Sequence, residues 1–277
     1  MTGSADRLRA FIDVGAAVAL VEVAEAKGST PREKGAWMLV SQSAIFGTIG
    51  GGQLEFMAID KARQVLAKAD HEGLLLDIPL GPEIGQCCGG RVEVAVSLVD
   101  RSKRETLVEM AKAEESTLPH VYIFGGGHVG HALAAAFALL PVRPVLVETR
   151  ADALEGMPET VETRLTPMPE EMVREAPAGA AFVVLTHDHA LDFLIVAEAL
   201  KRQDAAYVGM IGSKTKKATF RNWYLKTAGG SEEHFSRLVS PIGGDEVKDK
   251  RPAVIAALAA AEIMTALLQR QSAKVET

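Results

Sequence analysis

The stretch 120-HVYIFGGGHVGHALAAAFALLPVRPVLVE-148 decides the fold. HVYIF is a short apolar and aromatic run of the kind that forms a buried strand. GGGHVG follows it directly as a G-x-G-x-x-G turn and opens an apolar helix, expected over 128–140. A second apolar strand is expected over 142–148. Strand, glycine turn, helix and strand in that order form the first half of a mononucleotide-binding unit. Gly125 would permit the tight turn, Gly127 a close backbone approach to a phosphate, and Gly130 close packing of helix on strand. The helix end at His128 would offer free N–H groups and a positive dipole end to an anion. Glu148 stands where a ribose-binding acid is expected, with Arg150 beside it. A turn that only packs is the alternative.

The same alternation continues downstream. The residues predict a strand over 181–186, a helix over 189–202, a strand over 206–211, a helix over 213–227 and a final helix over 252–269. Nearly unbroken apolar strands between helices imply a parallel sheet covered on both faces. Ligands of such sheets bind outside the carboxyl ends of the strands. His187, Asp188, Gly212 and Ser213 follow two of those ends and should face one crevice, which could take a nucleotide. His187 and His189 are spaced like a metal pair, and Asp188 or Thr186 could equally cap the next helix. The fragment 240-SPIGGDEV-247 reads either as a further turn closing the crevice or as a surface turn.

Upstream of residue 118 the pattern is different. Strand-like runs at 18–26, 36–41 and 91–99 and a helix at 53–69 surround three glycine-rich loops, 28-GSTPREKGA-36, 47-GTIGGGQLE-55 and 86-QCCGG-90. Gly50, Gly51 and Gly52 before the helix could form an N–H nest for an anion. Arg32 is the natural bidentate partner for a carboxylate or phosphate. The third loop holds Gln86, Cys87, Cys88 and Gly89, and these are the only two cysteines in the chain. Adjacent Cα atoms lie about 3.8 Å apart, short of the roughly 4.4–6.8 Å of bridged cysteines, so the pair reads as thiols. One could face a site as a soft ligand while the other is buried, or both could be inert. The expected division is a small N-terminal α/β domain over 1–100, a helical linker over 101–117, and a Rossmann-like parallel-sheet domain over 118–277.

Composition sets outer bounds. The chain has 277 residues, 48% of them hydrophobic and 24% charged, and a net charge of −6. That profile is globular, and the acidic balance argues against bulk attraction to nucleic acid or anionic lipid. The first residues, MTGSADRLRAFIDVG, lack the basic and apolar regions of a signal peptide. Two thiols without an export signal point to a reducing cytoplasm. The apolar run 252–268 carries Glu262 and reads as a packed helix, so no membrane partner is expected.

Taken together, GSTPREKGAWMLV, GTIGGGQLE, GPEIGQCCGGRVEV, FGGGHVG, LTHDHALD, VGMIGSKTKK and SPIG, in that order over residues 14–269, resemble the XdhC-type xanthine dehydrogenase accessory proteins. The resemblance implies a two-domain, self-associating chaperone that is expected to form a homodimer. It would bind molybdenum cofactor of the molybdopterin type while a cysteine desulfurase supports its sulfuration, and then deliver it to apo xanthine dehydrogenase. Cys88, Gly89 and Gly90 match the family's C-G-G, with Cys87 the extra cysteine of the xanthine dehydrogenase branch. Cys88 is then the candidate transient molybdenum contact. Glu148 replaces a more usual Asp, and DEVKDK departs from the family's closing motif. The alternative reading is an NAD(P)-dependent oxidoreductase working from the Rossmann half, which leaves the three N-terminal loops unused.

Overall fold

The computed structural model describes residues 4–13, 17–68, 72–81 and 89–275. Gln86, Cys87 and Cys88 lie outside the described residues. The chain divides into two compact units, residues 2–116 and 117–277.

The first unit runs α1 (Ser4–Asp13), β1 (Ala19–Lys27), β2 (Trp37–Val40), β3 (Ile45–Gly47), α2 (Gly52–Lys68), β4 (Leu74–Pro79), β5 (Arg91–Leu98) and α3 (Arg101–Thr117). Its five strands form one antiparallel sheet in the order β3-β2-β1-β5-β4. Successive side chains of a strand leave on opposite faces. Ala19, Val21, Val23, Met38, Val40, Val92, Val94 and Val96 therefore pack on Leu54, Ala58, Ala62 and Val65 of α2. Val18, Leu20 and Leu39 pack the other way, against Leu8 and Ile12 of α1 and Leu107 and Ala111 of α3. The run expected to be a linker is thus α3, a structural part of the first unit. Leu107 and Ala111, four apart on one helix face, fix it to the sheet.

The second unit continues with β6 (His120–Phe124), α4 (His128–Phe137), β7 (Arg143–Glu148), β8 (Glu162–Leu165), α5 (Pro169–Glu175), β9 (Ala181–Val184) and α6 (His189–Lys201). It ends with β10 (Tyr207–Met210), α7 (Lys214–Lys226), α8 (Glu232–Ser236), β11 (Leu238–Val239) and α9 (Pro252–Val275). All six strands are parallel, in the order β11-β10-β9-β6-β7-β8. The chain enters at the centre, builds outward through β7 and β8, then returns to build the other side from β9. That is the doubly wound Rossmann-like order, with its switch point between β6 and β9. One face is covered by α4 and α9, the other by α5, α6 and α7.

Helix α9 is long and apolar enough to cross a membrane by length and composition. Here Ala256, Ala259, Ala260, Ile263 and Leu267 are buried against the sheet and α4. Its acid has a local use. The Tyr207 hydroxyl donates to Glu262 at 3.2 Å, and the Gly243 N–H donates to the other carboxylate oxygen at 2.5 Å. Glu262 thereby pins the 240–244 turn to the sheet. An ion pair of 3.3 Å between Lys214 and Asp245 ties the same turn to the start of α7.

Candidate functional site

Two groups of loops carry the candidate residues, one in each unit. In the second unit the loops leave the carboxyl ends of β6, β9 and β10 at the switch point. Two glycines of the turn are required by close packing. A Cβ on Gly125 would lie 2.6 Å from the Leu185 carbonyl oxygen, and one on Gly130 would lie 2.0 Å from that of Gly125. Gly127 is different, because nothing stands within 4 Å of its missing Cβ. It is the N-cap of α4 and supplies no side-chain cap, and both it and His128 are exposed. The approach expected over Gly127 is open.

The neighbouring acid is fully engaged. Glu148 is only 4% exposed. One oxygen accepts from the N–H of Gly126 at 2.8 Å and from the Arg150 guanidinium at 3.1 Å. The other accepts from the Thr149 N–H at 2.7 Å, the Thr149 hydroxyl at 3.1 Å and the Arg150 N–H at 3.2 Å. The carbonyl of Ala153, in the short 3-10 turn Asp152–Leu154, takes up the space over Gly126 and lies 3.1 Å from His131 Nε2. Instead of facing an open ribose site, Glu148 clasps its own turn.

Burial alone would raise the Glu148 pKa. The Arg150 hydrogen bond, the N–H groups of Gly126 and Thr149 and the Arg150 charge outweigh it and hold the pKa at about 2, from an ordinary 4.5. A depressed folded-state pKa stabilises the fold above the unfolded value, and that stability is lost as pH falls through the folded one. Between about pH 4.5 and 2 the native chain should therefore lose on the order of 2–3 kcal/mol from this group. Acid unfolding of a Glu148→Gln variant should be flatter than that of the parent over this interval. Parallel curves would show that the clasp contributes nothing.

The later loops hold helix caps. Asp188 caps α6, accepting from the N–H groups of Ala190 at 2.7 Å and Leu191 at 3.4 Å. Ser213 caps α7 through the Lys216 N–H at 3.3 Å. His187 and His189 are exposed, and no metal-holding group of three His, Cys, Asp or Glu residues occurs among the described residues. The helix-cap alternative accounts for Asp188.

Sequence reasoning missed the pair beneath these loops. Asp192 of α6 is completely buried and forms a short ion pair with Lys216 of α7, whose side chain is 9% exposed. Asp192 also accepts from the Thr186 N–H at 3.0 Å and hydroxyl at 2.7 Å, while Lys216 donates to the Ile211 carbonyl at 3.0 Å. The stem of Lys216 lies against Gly212, 2.6 Å from where a Cβ would stand. The pair ties together the ends of β9 and β10. The available signal was Asp192 within the apolar stretch LDFLIVA, ahead of the second acid of that helix, Glu198.

In the first unit the three glycine-rich loops meet. A Cβ on Gly50 would stand 2.5 Å from Pro31 Cβ and 3.3 Å from Arg32 Cγ. One on Gly90 would stand 2.2 Å from the Ser29 carbonyl oxygen. The loop 28–36 thus touches the 47–52 loop with its middle and the shoulder of the cysteine loop with its start. That shoulder is fixed, because the Gly89 N–H donates to Leu80 and the Leu80 N–H to Gly90, both at 2.8 Å.

The expected nest at Gly50, Gly51 and Gly52 has an internal occupant. Glu55 Oε2 accepts from the Ile49 N–H at 3.0 Å, the Gly51 N–H at 3.1 Å and the Thr48 hydroxyl at 2.5 Å. The Gly50 N–H donates to Thr48 at 3.0 Å. These amides are already used, and a carboxylate from the same chain fills the anion position. Arg32 remains exposed, with no ion pair or hydrogen bond among the described residues.

Fold and loops together define a two-unit protein that couples an antiparallel glycine-loop domain to a Rossmann domain. The family model of the XdhC Rossmann domain matches residues 121–263, and that of the XdhC and CoxI family matches residues 12–78. The chain belongs to the XdhC family. An Escherichia coli K12 relative, the uncharacterized protein YqeB, is 28% identical over 261 residues, covering 89% of this chain and 43% of that protein. The chain therefore spans less than half the length of that relative. A solved structure described as a xanthine dehydrogenase from Bacillus halodurans superposes with a TM-score of 0.77 at 17% identity, covering 97% of this chain and 96% of that one. At that identity the likeness is one of fold.

Proposed function

We propose that this protein serves in the maturation of xanthine dehydrogenase. In this reading it binds molybdenum cofactor of the molybdopterin type, holds it while a cysteine desulfurase supplies the replacing sulfur, and delivers it to the apo enzyme. It would work as a cytoplasmic homodimer that does not turn over a substrate of its own. Membership in the XdhC family supports the xanthine dehydrogenase connection.

The observation that carries the cofactor reading is the meeting of the three loops in the first unit. Arg32, unpaired among the described residues, stands on a loop whose start supports Gly90, two residues beyond Cys88 in the sequence. A guanidinium suits a phosphate and a thiolate suits a soft metal, so the donor set fits such a cofactor. The bound cofactor would supply the molybdenum and its dithiolene sulfur; the chain would supply the grip and the shielding. The oxidoreductase alternative has less support, because it needs Glu148 to release its clasp before a ribose can bind.

The test is co-elution. Cofactor released anaerobically from a molybdoenzyme is mixed with the protein, gel-filtered, and the protein peak assayed for molybdenum and oxidised-pterin fluorescence. Near-stoichiometric recovery, unaffected by excess NADH, is the expected outcome. Absence of both signals, under conditions where an established binder retains them, overturns the reading.

A further inference from the structure

The first unit contains a cleft of about 620 Å³ that the loops above do not explain by packing alone. Its walls come from residues 31–36 of the first loop, the start of β2, the end of β3 with Thr48, and Glu114 of α3. Trp37 and Phe46 line it side by side, their rings stacked with centroids 6.2 Å apart and planes 23° from parallel. Both are half-buried, rooted in the cluster beneath α1 and α3, so they form a rigid aromatic floor.

The rim is polar and mixed in charge. Arg32 has no hydrogen bond or ion pair among the described residues, and its stem is steadied by the bare backbone of Gly50. Lys34 bonds Glu25 at 2.6 Å through one of its three N–H groups. Glu33 and Glu114 line the same cleft. A purely anionic ligand would meet those two carboxylates. A purely apolar one would leave the guanidinium without a partner. Aromatic floor, exposed guanidinium and acidic rim together suit a flat heterocycle that has both donors and acceptors and also carries a phosphate.

We propose that the cleft between Arg32 and the Trp37–Phe46 pair holds the ring system of such a phosphorylated heterocycle, with the ring on the aromatic floor and the phosphate on Arg32. The identification of that heterocycle as the pterin of the molybdenum cofactor rests on the function proposed above. The loop that forms the cleft wall also supports Gly90 through Ser29.

Trp37 and Trp223 are the only tryptophans in the chain, so a Trp223→Phe protein reports on the cleft alone. Released cofactor should quench Trp37 on titration. Arg32→Ala should weaken binding about tenfold, the loss of one charge-assisted contact, and Arg32→Lys should recover part of it. Arg32 is exposed, so its variants should melt with the parent, and co-elution of Arg32→Ala in the Trp223→Phe background gives a second readout. Inorganic pyrophosphate alone should neither quench Trp37 nor displace the cofactor. If the parent co-elutes with cofactor while Trp37 is silent and Arg32→Ala binds equally, the cleft assignment falls and the maturation role stands. Full competition by pyrophosphate reduces the cleft to an anion site and overturns the ring assignment. If no variant retains cofactor, the proposed function falls and takes the pterin assignment with it.

Discussion

A Lys216→Met variant should lose about 3–5 kcal/mol of stability, because it strips the partner from a fully buried carboxylate. The lysine meets Asp192, which is 0% exposed, and the Ile211 carbonyl. Thr186 donates twice to the same acid, but neither bond supplies a countercharge. Removing the ammonium leaves the buried carboxylate without its ionic partner. Urea unfolding followed through Trp223, on the same helix as Lys216, reads the loss directly. Buried ion pairs are often replaceable as a unit, so Asp192→Leu combined with Lys216→Met should recover much of it. The single variant has a local consequence as well. Thr186 and Ile211 mark the strand ends that face the switch point, and freeing them should raise amide exchange there. A loss under about 1 kcal/mol would mean that water reaches the pair and that it does not hold the strand ends together.

The parts of the fold that the sequence discloses are those where one segment's own pattern suffices. VYIF and PVLV are unbroken apolar runs because both faces of those strands are covered, and the glycine turn follows the first of them directly. HALDFLIVAEALK is legible as a helix from its length and its Asp188 cap. Glu162–Leu165 is not legible, because β8 is an edge strand that pairs only with β7 and carries Glu, Thr and Arg. Ile45–Gly47 is too short to show a period, and α5 spans less than two turns. The candidate sites divide in the same way. Glycines that must be bare could be named in advance, since backbone conformation is a local matter. Which amide meets which carboxylate could not. Glu55 filling the nest, Glu148 clasping Gly126 and Lys216 reaching Asp192 across 24 residues depend on where the helices dock.

Cys88→Ala should abolish most cofactor retention, on the order of ten- to a hundredfold if the thiolate is a direct molybdenum contact, while leaving the melting temperature of the parent unchanged. The two halves of that expectation have separate grounds. The functional half follows from the proposed role, since alanine offers neither a soft donor nor a nucleophile. The structural half follows from the shoulder of the loop. Gly89 and Gly90 are tied to Leu80 by backbone hydrogen bonds, and Gly90 is wedged under Ser29, contacts that do not use the cysteine side chains. Cys87→Ala is the necessary comparison, because the proposed contact is made by Cys88. It should retain cofactor far better than Cys88→Ala. Cys88→Ser separates the two chemistries, keeping size and polarity but giving up the soft sulfur, and it should resemble the alanine variant. Molybdenum and pterin are read in the gel-filtration peak, and delivery is read as activity regained by apo xanthine dehydrogenase. If Cys88→Ala retains and delivers cofactor like the parent, the thiol is not a contact, and the grip must come from Arg32 and the aromatic cleft alone.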